Sequence, residues 1–298
     1  MKNLKRLIII VFVLSAFLVS AQKRKSSIIA NNALIKQEGS DFTFTEGPAV
    51  ASDGRVYFTD QPNDRIYVWD EKEGISLWLE GTGRSNGMYF DQDNQLVTCA
   101  DEKNQIAYFD KNKNLVPISE TYENKHLNGP NDLWIDLEGG IYFTDPYYHR
   151  KWWAEGHKEI QDVRGVYFLP IDGNIVRVID DFKTPNGLIG TPDGKNLYVA
   201  DIEDEKTWKY DIQPNGSLLN KTFFAPHGSD GMTIDNLGNI YLTYGKVWVY
   251  SPKGELIEEI DFPESPSNIC FGGKNRDILF VTARKSVYTL KMNVKGVN

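Results

Sequence analysis

The sequence predicts an all-β fold, a six-bladed β-propeller around a central channel, and three features predict it. A strand–turn–strand unit recurs six times along the chain. The copies begin about 40–55 residues apart, the period of four-stranded blades. Beyond residue 21, no segment of any length carries helical periodicity. The clearest copy is LWIDLEGGIYFTD at 133–145, two apolar, aromatic-rich runs joined by a Gly-containing polar turn. That pattern is a hairpin signal. A β-sandwich would not explain six copies.

The elements follow in order. Lys2, Lys5 and Arg6 precede an apolar run over 7–19 and the small-residue site Val19-Ser20-Ala21. Residues 1–21 therefore read as a secretory signal peptide, too short for the roughly 20 residues of a membrane span. The expected mature chain, 22–298, is one propeller domain, exported to the periplasm or the medium, with no membrane anchor after cleavage. Its six units cover 47–70, 85–110, 130–172, 185–212, 230–251 and 267–291, and 115–119 and 216–224 supply two of the fourth strands. The chain ends on a third strand, so 33–37 is expected to close the last blade. The segments DLEGG, TPDGK and DNLGN have neither the spacing nor the terminal Glu of an EF-hand and read as hairpin turns.

Losing the three basic residues of the leader takes the formal charge from −8 to −11. So acidic a chain disfavours nucleic acid and anionic lipid as partners. Cys99 and Cys270, the two cysteines, both fall in predicted strands and read as buried, unpaired thiols. No G-x-S-x-G is present, which disfavours a serine hydrolase.

In a propeller the first strand of each blade runs along the channel, so the residues leading those strands meet at one mouth. They are Glu46, Asn86, Asn131, Asn186, Asp230 and Asn268. Asn and Asp often start strands through local bonds to the backbone, which explains any one of them better than six. Oxygen donors converging from rigid strands suit a hard cation. With no His–Cys cluster, calcium is favoured over magnesium, manganese or zinc.

The motifs FTEGPAV (44–50), LNGPNDLWID (127–136), YFTDPYY (142–148), TPNGLIGTPDGKNLYVAD (184–201) and SDGMTIDNLGNIY (229–241) resemble the SMP-30/gluconolactonase/LRE family. The resemblance implies a calcium-dependent six-bladed propeller that hydrolyses a small sugar lactone. It implies Glu46, Asn186 and Asp230 as metal ligands, Asn131 as a further ligand or substrate contact, and Asp230 as proton acceptor and donor. Many bacterial lactonases of this type carry Arg where this chain has His126, which bears on how the sugar is oriented. Asp132, beside Asn131, is the alternative base, because a carboxylate bound to a cation is a weakened one.

The link between second and third strands returns to the same mouth, and in the third blade it spans 146–164. It contains Tyr147, Tyr148, His149, Arg150, Trp152, Trp153 and His157. A long loop with its own aromatic content suits a lid. Tyr147, Tyr148, His149 and His126 are therefore candidate substrate contacts, and all four histidines (with His157 and His227) are expected on this face. The competing function is a non-catalytic propeller binding carbohydrate or protein; hydrolysis of aryl esters or phosphotriesters would use the same metal site.

Overall fold

The computed structural model describes residues 28–297, so the leader expected at 1–21 lies outside the described residues. Six four-stranded antiparallel sheets account for nearly all of the secondary structure. Blade 1 comprises Thr45–Val50, Val56–Asp60, Arg65–Asp70 and Gly74–Glu80; blade 2, Ser85–Phe90, Leu96–Ala100, Gln105–Phe109 and Leu115–Ser119. Blade 3 comprises Leu133–Ile135, Ile141–Asp145, Gly165–Leu169 and Val176–Ile179; blade 4, Pro185–Gly190, Asn196–Asp201, Lys206–Ile212 and Leu218–Ala225. Blade 5 comprises Met232–Ile234, Ile240–Tyr244, Lys246–Tyr250 and Leu256–Ile260. Blade 6 takes Asn268–Gly272, Ile278–Ala283 and Ser286–Lys291 from the end of the chain and Lys36–Gly39 from its start.

The closing strand lies a few residues beyond the expected 33–37. Ala33 and Ile35 pack onto the apolar cluster of blades 5 and 6 instead of joining the ladder, while Leu34 points to solvent. Cys99 and Cys270 are buried free thiols, as expected. The three calcium-loop fragments are turns. Asp136 accepts the main-chain N–H of Glu138 and Gly140, and Asp235 those of Leu237 and Asn239. Asp193 accepts that of Lys195.

Every junction between neighbouring innermost strands is hydrogen-bonded. Thr59 Oγ1 donates to the Asn86 carbonyl (blades 1–2), and Gly87 N–H to that of Asn131 (2–3). The Leu188 amide donates to the Asp132 carboxyl (3–4), and Gly187 N–H to the Ser229 carbonyl (4–5). Thr243 Oγ1 donates to the Ser267 carbonyl (5–6), and Ser267 Oγ to that of Thr45 (6–1). Thr59 and Thr243 are thus buried rivets between blades, while Thr98 and Thr144 bond within their own blades.

Glycine after a leading residue permits this closeness. A Cβ on Gly47, whose φ is +47°, would stand 1.9 Å from the Asn86 carbonyl oxygen; one on Gly231 would stand 1.9 Å from Asn268 Cγ. In three blades the aspartate that ends the second strand does a further job. Asp60, Asp145 and Asp201 each accept two main-chain N–H groups from the segment entering their own blade. These carboxylates hold the entry of the first strand and so fix where its leading residue points.

Candidate metal and active site

Hydrogen bonds to the second-strand threonine of the same blade define which residues are equivalent from blade to blade. Asn131 N–H donates to the Thr144 carbonyl and Asp132 N–H to Thr144 Oγ1; Asp230 and Gly231 repeat this on Thr243. Ser267 and Asn268 repeat it on Thr282. Ser267 therefore occupies the leading place in blade 6. Asn268, expected there from the sequence, sits one residue deeper, level with Asp132. Its amide turns to the neighbouring blade and donates to Glu46 Oε2 at 3.0 Å.

Glu46, Asn86, Asn131, Asp132 and Asn186 are buried, and Asp230 is partly exposed. Glu46 Oε2 also accepts the Gly47 N–H at 2.8 Å. Asn186 Nδ2 donates to Asp230 Oδ1 at 2.9 Å and to the Tyr148 hydroxyl at 2.9 Å, which fixes the amide and turns its Oδ1 away from both. Among the described residues that Oδ1 has no donor, nor has Asn86 Oδ1. None of Glu46, Asp132 and Asp230 forms an ion pair with a described lysine or arginine.

The charges of three carboxyl groups bear on one another here. Burial holds Glu46 well above the usual carboxylate range, and the charges of Asp230 and then Asp132 push it further. Burial pushes Asp230 up to about 6, against the pull of Asn186, Arg284 and Arg150. Burial likewise raises Asp132 to about 8, although the amides of Leu133 and Leu188 donate to it. Oxygen acceptors without donors, beside carboxylates without counter-charges, form a site that either keeps protons or takes a cation. No three His, Cys, Asp or Glu side chains among the described residues form a metal centre by themselves. An ion here needs amide oxygens as well, a donor set that fits a hard cation.

The blade 3 loop at 146–164 reaches this mouth through Tyr148. Burial raises the Tyr148 hydroxyl well above its ordinary range, so it stays protonated. Arg150 lies over the Tyr148 ring at 5.5 Å and pairs with buried Asp101 of blade 2 at 2.6 Å. Asp101 also accepts from Gln61 Nε2, and its carbonyl accepts the Trp153 indole N–H. Tyr147 is spent inside the loop, its hydroxyl on the His157 carbonyl and its ring beside Trp153 and His157. His126 is exposed on the Thr121–Tyr122/Lys125–His126 hairpin, its carbonyl held by Gln161, and His149 is exposed too. No described hydrogen bond or ring contact brings the imidazole of either to the ring of oxygens. His227 stacks on Trp248 at 3.9 Å and bonds the Tyr250 hydroxyl, in blade 5. Asp101 and Arg150 meet across 49 positions of sequence, a pairing that no local pattern announces.

The sequence model for the SMP-30/Gluconolactonase/LRE-like region matches residues 44–285. A gluconolactonase from Zymomonas mobilis is 28% identical over 92% of this chain and 85% of its own length. A diisopropyl-fluorophosphatase from Loligo vulgaris is 29% identical over 55% of this chain and 57% of its own. The solved structure of a gluconolactonase from Xanthomonas campestris superposes with a TM-score of 0.83 at 27% identity, covering 89% of this chain and 91% of that one.

Proposed function

The chain belongs to the SMP-30/gluconolactonase/LRE-like family, and from that membership we propose that it hydrolyses a sugar lactone to the aldonic acid with the help of a divalent cation. The observation that carries the metal-dependent reading is the donorless Asn186 Oδ1 beside the raised, ion-pair-free carboxyl groups of Glu46 and Asp230 at the channel mouth. The relatives named gluconolactonase supply the substrate class.

Glu46, Asn186 and Asp230, with Asn131, would hold the ion, calcium by the hardness of the donors. When bound, it supplies positive charge beside the lactone carbonyl and its developing oxyanion. Asp230 accepts the proton of the attacking water as the water oxygen bonds to the carbonyl carbon. The ring C–O bond then breaks, and the proton returns to the departing ring oxygen, so that one water is consumed. Asp132 is the less suited base, since two main-chain amides already engage its carboxyl. Tyr148 keeps its own O–H while accepting from Asn186, which leaves a donor for a sugar hydroxyl or the leaving oxygen.

Tyr148 also fixes the Asn186 amide, so Tyr148→Phe should weaken the cation about tenfold by calorimetric titration, with melting temperature little changed. Export to the periplasm or the medium, with loss of residues 1–21, is part of the same proposal; the intact mass of the secreted protein checks it.

A pH-indicator assay over a panel of aldonolactones, with and without chelator, tests the function. Acid release that stops on chelation and resumes with calcium is the expected result. A cation-loaded protein that opens no lactone would point to the non-catalytic binding propeller, and one that cleaves only paraoxon or phenyl acetate to the phosphotriesterase or aryl-esterase reading.

A further inference from the structure

Beneath the ring of oxygens the innermost strands enclose a second space. A cavity of about 300 Å³ extends from the level of Asp132 and Asn268 to the opposite end of the channel, among the first hairpin turns of the blades. Met88, Tyr89, Trp134, Leu188 and Met232 form the apolar part of its wall. One cation enters that wall: Arg276, from the turn that joins the first two strands of blade 6.

The guanidinium is incompletely used. Arg276 Nη2 donates to the Ala51 carbonyl at 2.9 Å, while Nη1 is buried and has no acceptor among the described residues. No described carboxylate pairs with it. Asp53, the one carboxylate whose charge bears on it, is already held by Arg55 through Nε and Nη2, each at 2.8 Å. The other groups bearing on Arg276 are the neutral Cys270 thiol and the Tyr89 hydroxyl. Burial holds the thiol far above its ordinary range and raises the phenol to about 12, so both remain protonated. On the same wall, Asp91 is spent on the Gln95 amide and Asp136 on its own turn.

Arg276 forms part of the cavity wall, and a half-buried guanidinium with an unmatched donor is costly unless an anion completes it. The space lies at the small end of ligand pockets, which are mostly apolar with a few convergent polar groups. We infer that this lower cavity binds a small apolar monocarboxylate, its carboxylate on Arg276 and the Tyr89 hydroxyl and its hydrocarbon body against Met88, Trp134, Leu188 and Met232. A planar carboxylate matches the fork of the guanidinium. A multiply charged, strongly hydrated anion such as phosphate fits neither the walls nor the Asp132 roof. The inference stands apart from the hydrolase reading, since the groups that would hold the carboxylate, Arg276 and Tyr89, belong to no part of the upper mouth.

Titration calorimetry of the full chain with benzoate and octanoate, and with their neutral amides, tests it. Both acids should bind wild type, the amides at least tenfold more weakly, and Arg276→Gln should lose the acids by at least tenfold. Asp230→Asn should bind them as wild type does, which separates this cavity from the upper mouth. The amide comparison uses unmodified protein and so survives a failure of the Arg276 variant to fold. Failure of either acid to bind wild type at millimolar concentration would overturn the inference. So would amides that bind as well as acids, or a loss of binding in Asp230→Asn.

Discussion

Asp230→Ala should abolish lactone turnover, by at least about a thousandfold, while leaving the cation-free protein as stable as wild type or more so. The first half follows from where Asp230 stands. It leads the first strand of blade 5, accepts the Asn186 amide at 2.9 Å, and shares buried space with Glu46. Its loss removes a charged cation ligand and the proposed proton acceptor, and frees the Asn186 amide to turn. Losing one group that stabilises developing charge costs about a hundred- to a thousandfold in turnover, and here two functions go together. The second half follows from repulsion. The Asp230 charge is the largest cause, after burial, of the raised Glu46 carboxyl, so deleting it relieves the cation-free fold. Urea unfolding in chelator beside kcat in calcium separates the two effects. A variant that loses activity and stability together would mark Asp230 as a structural residue instead.

Cation-free protein should lose stability steadily as pH rises from about 4 to about 8, and saturating calcium should remove much of that loss. Asp230, raised by burial to about 6, and Asp132, raised to about 8, hold protons in the fold at pH values where the unfolded chain has released them. Unfolding then releases protons, so stability is fullest below the ordinary carboxylate pKa and declines until pH passes the folded value. Glu46 acts in the same direction. Each tenfold rise in a carboxyl group's proton affinity corresponds to about 1.4 kcal/mol of this dependence. Asp101, raised to about 6, and Asp145, raised to about 7, add a decline that calcium should not touch, since neither belongs to the ring. The gap between the calcium and chelator melting curves should therefore widen with pH, and Asp132→Asn should flatten the chelated curve. Parallel curves across that range would mean that the cation does not meet these carboxylates.

The propeller was legible because each blade repeats one physical pattern: an apolar strand, a polar turn, and a second apolar strand. The leading oxygens were legible for the same reason, save in blade 6. There SNICFG offers two polar residues in succession, and only the hydrogen bonds of Thr282 show Ser267 in the leading place. His126 looked like a site residue because it stands where many lactonases of this type carry Arg. Local pairing with Thr121 instead leaves it exposed on a hairpin. The Asp101–Arg150–Tyr148 strut and the Arg276 cavity could not be read, since each depends on residues that meet only once the ring closes. An arginine in a hairpin turn has the sequence signature of any surface arginine.

The central claim is that Glu46, Asn186 and Asp230 converge on one ion at the upper mouth. Anomalous diffraction from crystals soaked in manganese tests it most directly. The account predicts one strong peak at the upper mouth, with a Glu46 oxygen, Asn186 Oδ1 and an Asp230 oxygen each roughly 2.0–2.6 Å from it. A peak elsewhere, or none at full soak with those three side chains still in their hydrogen bonds, would contradict it.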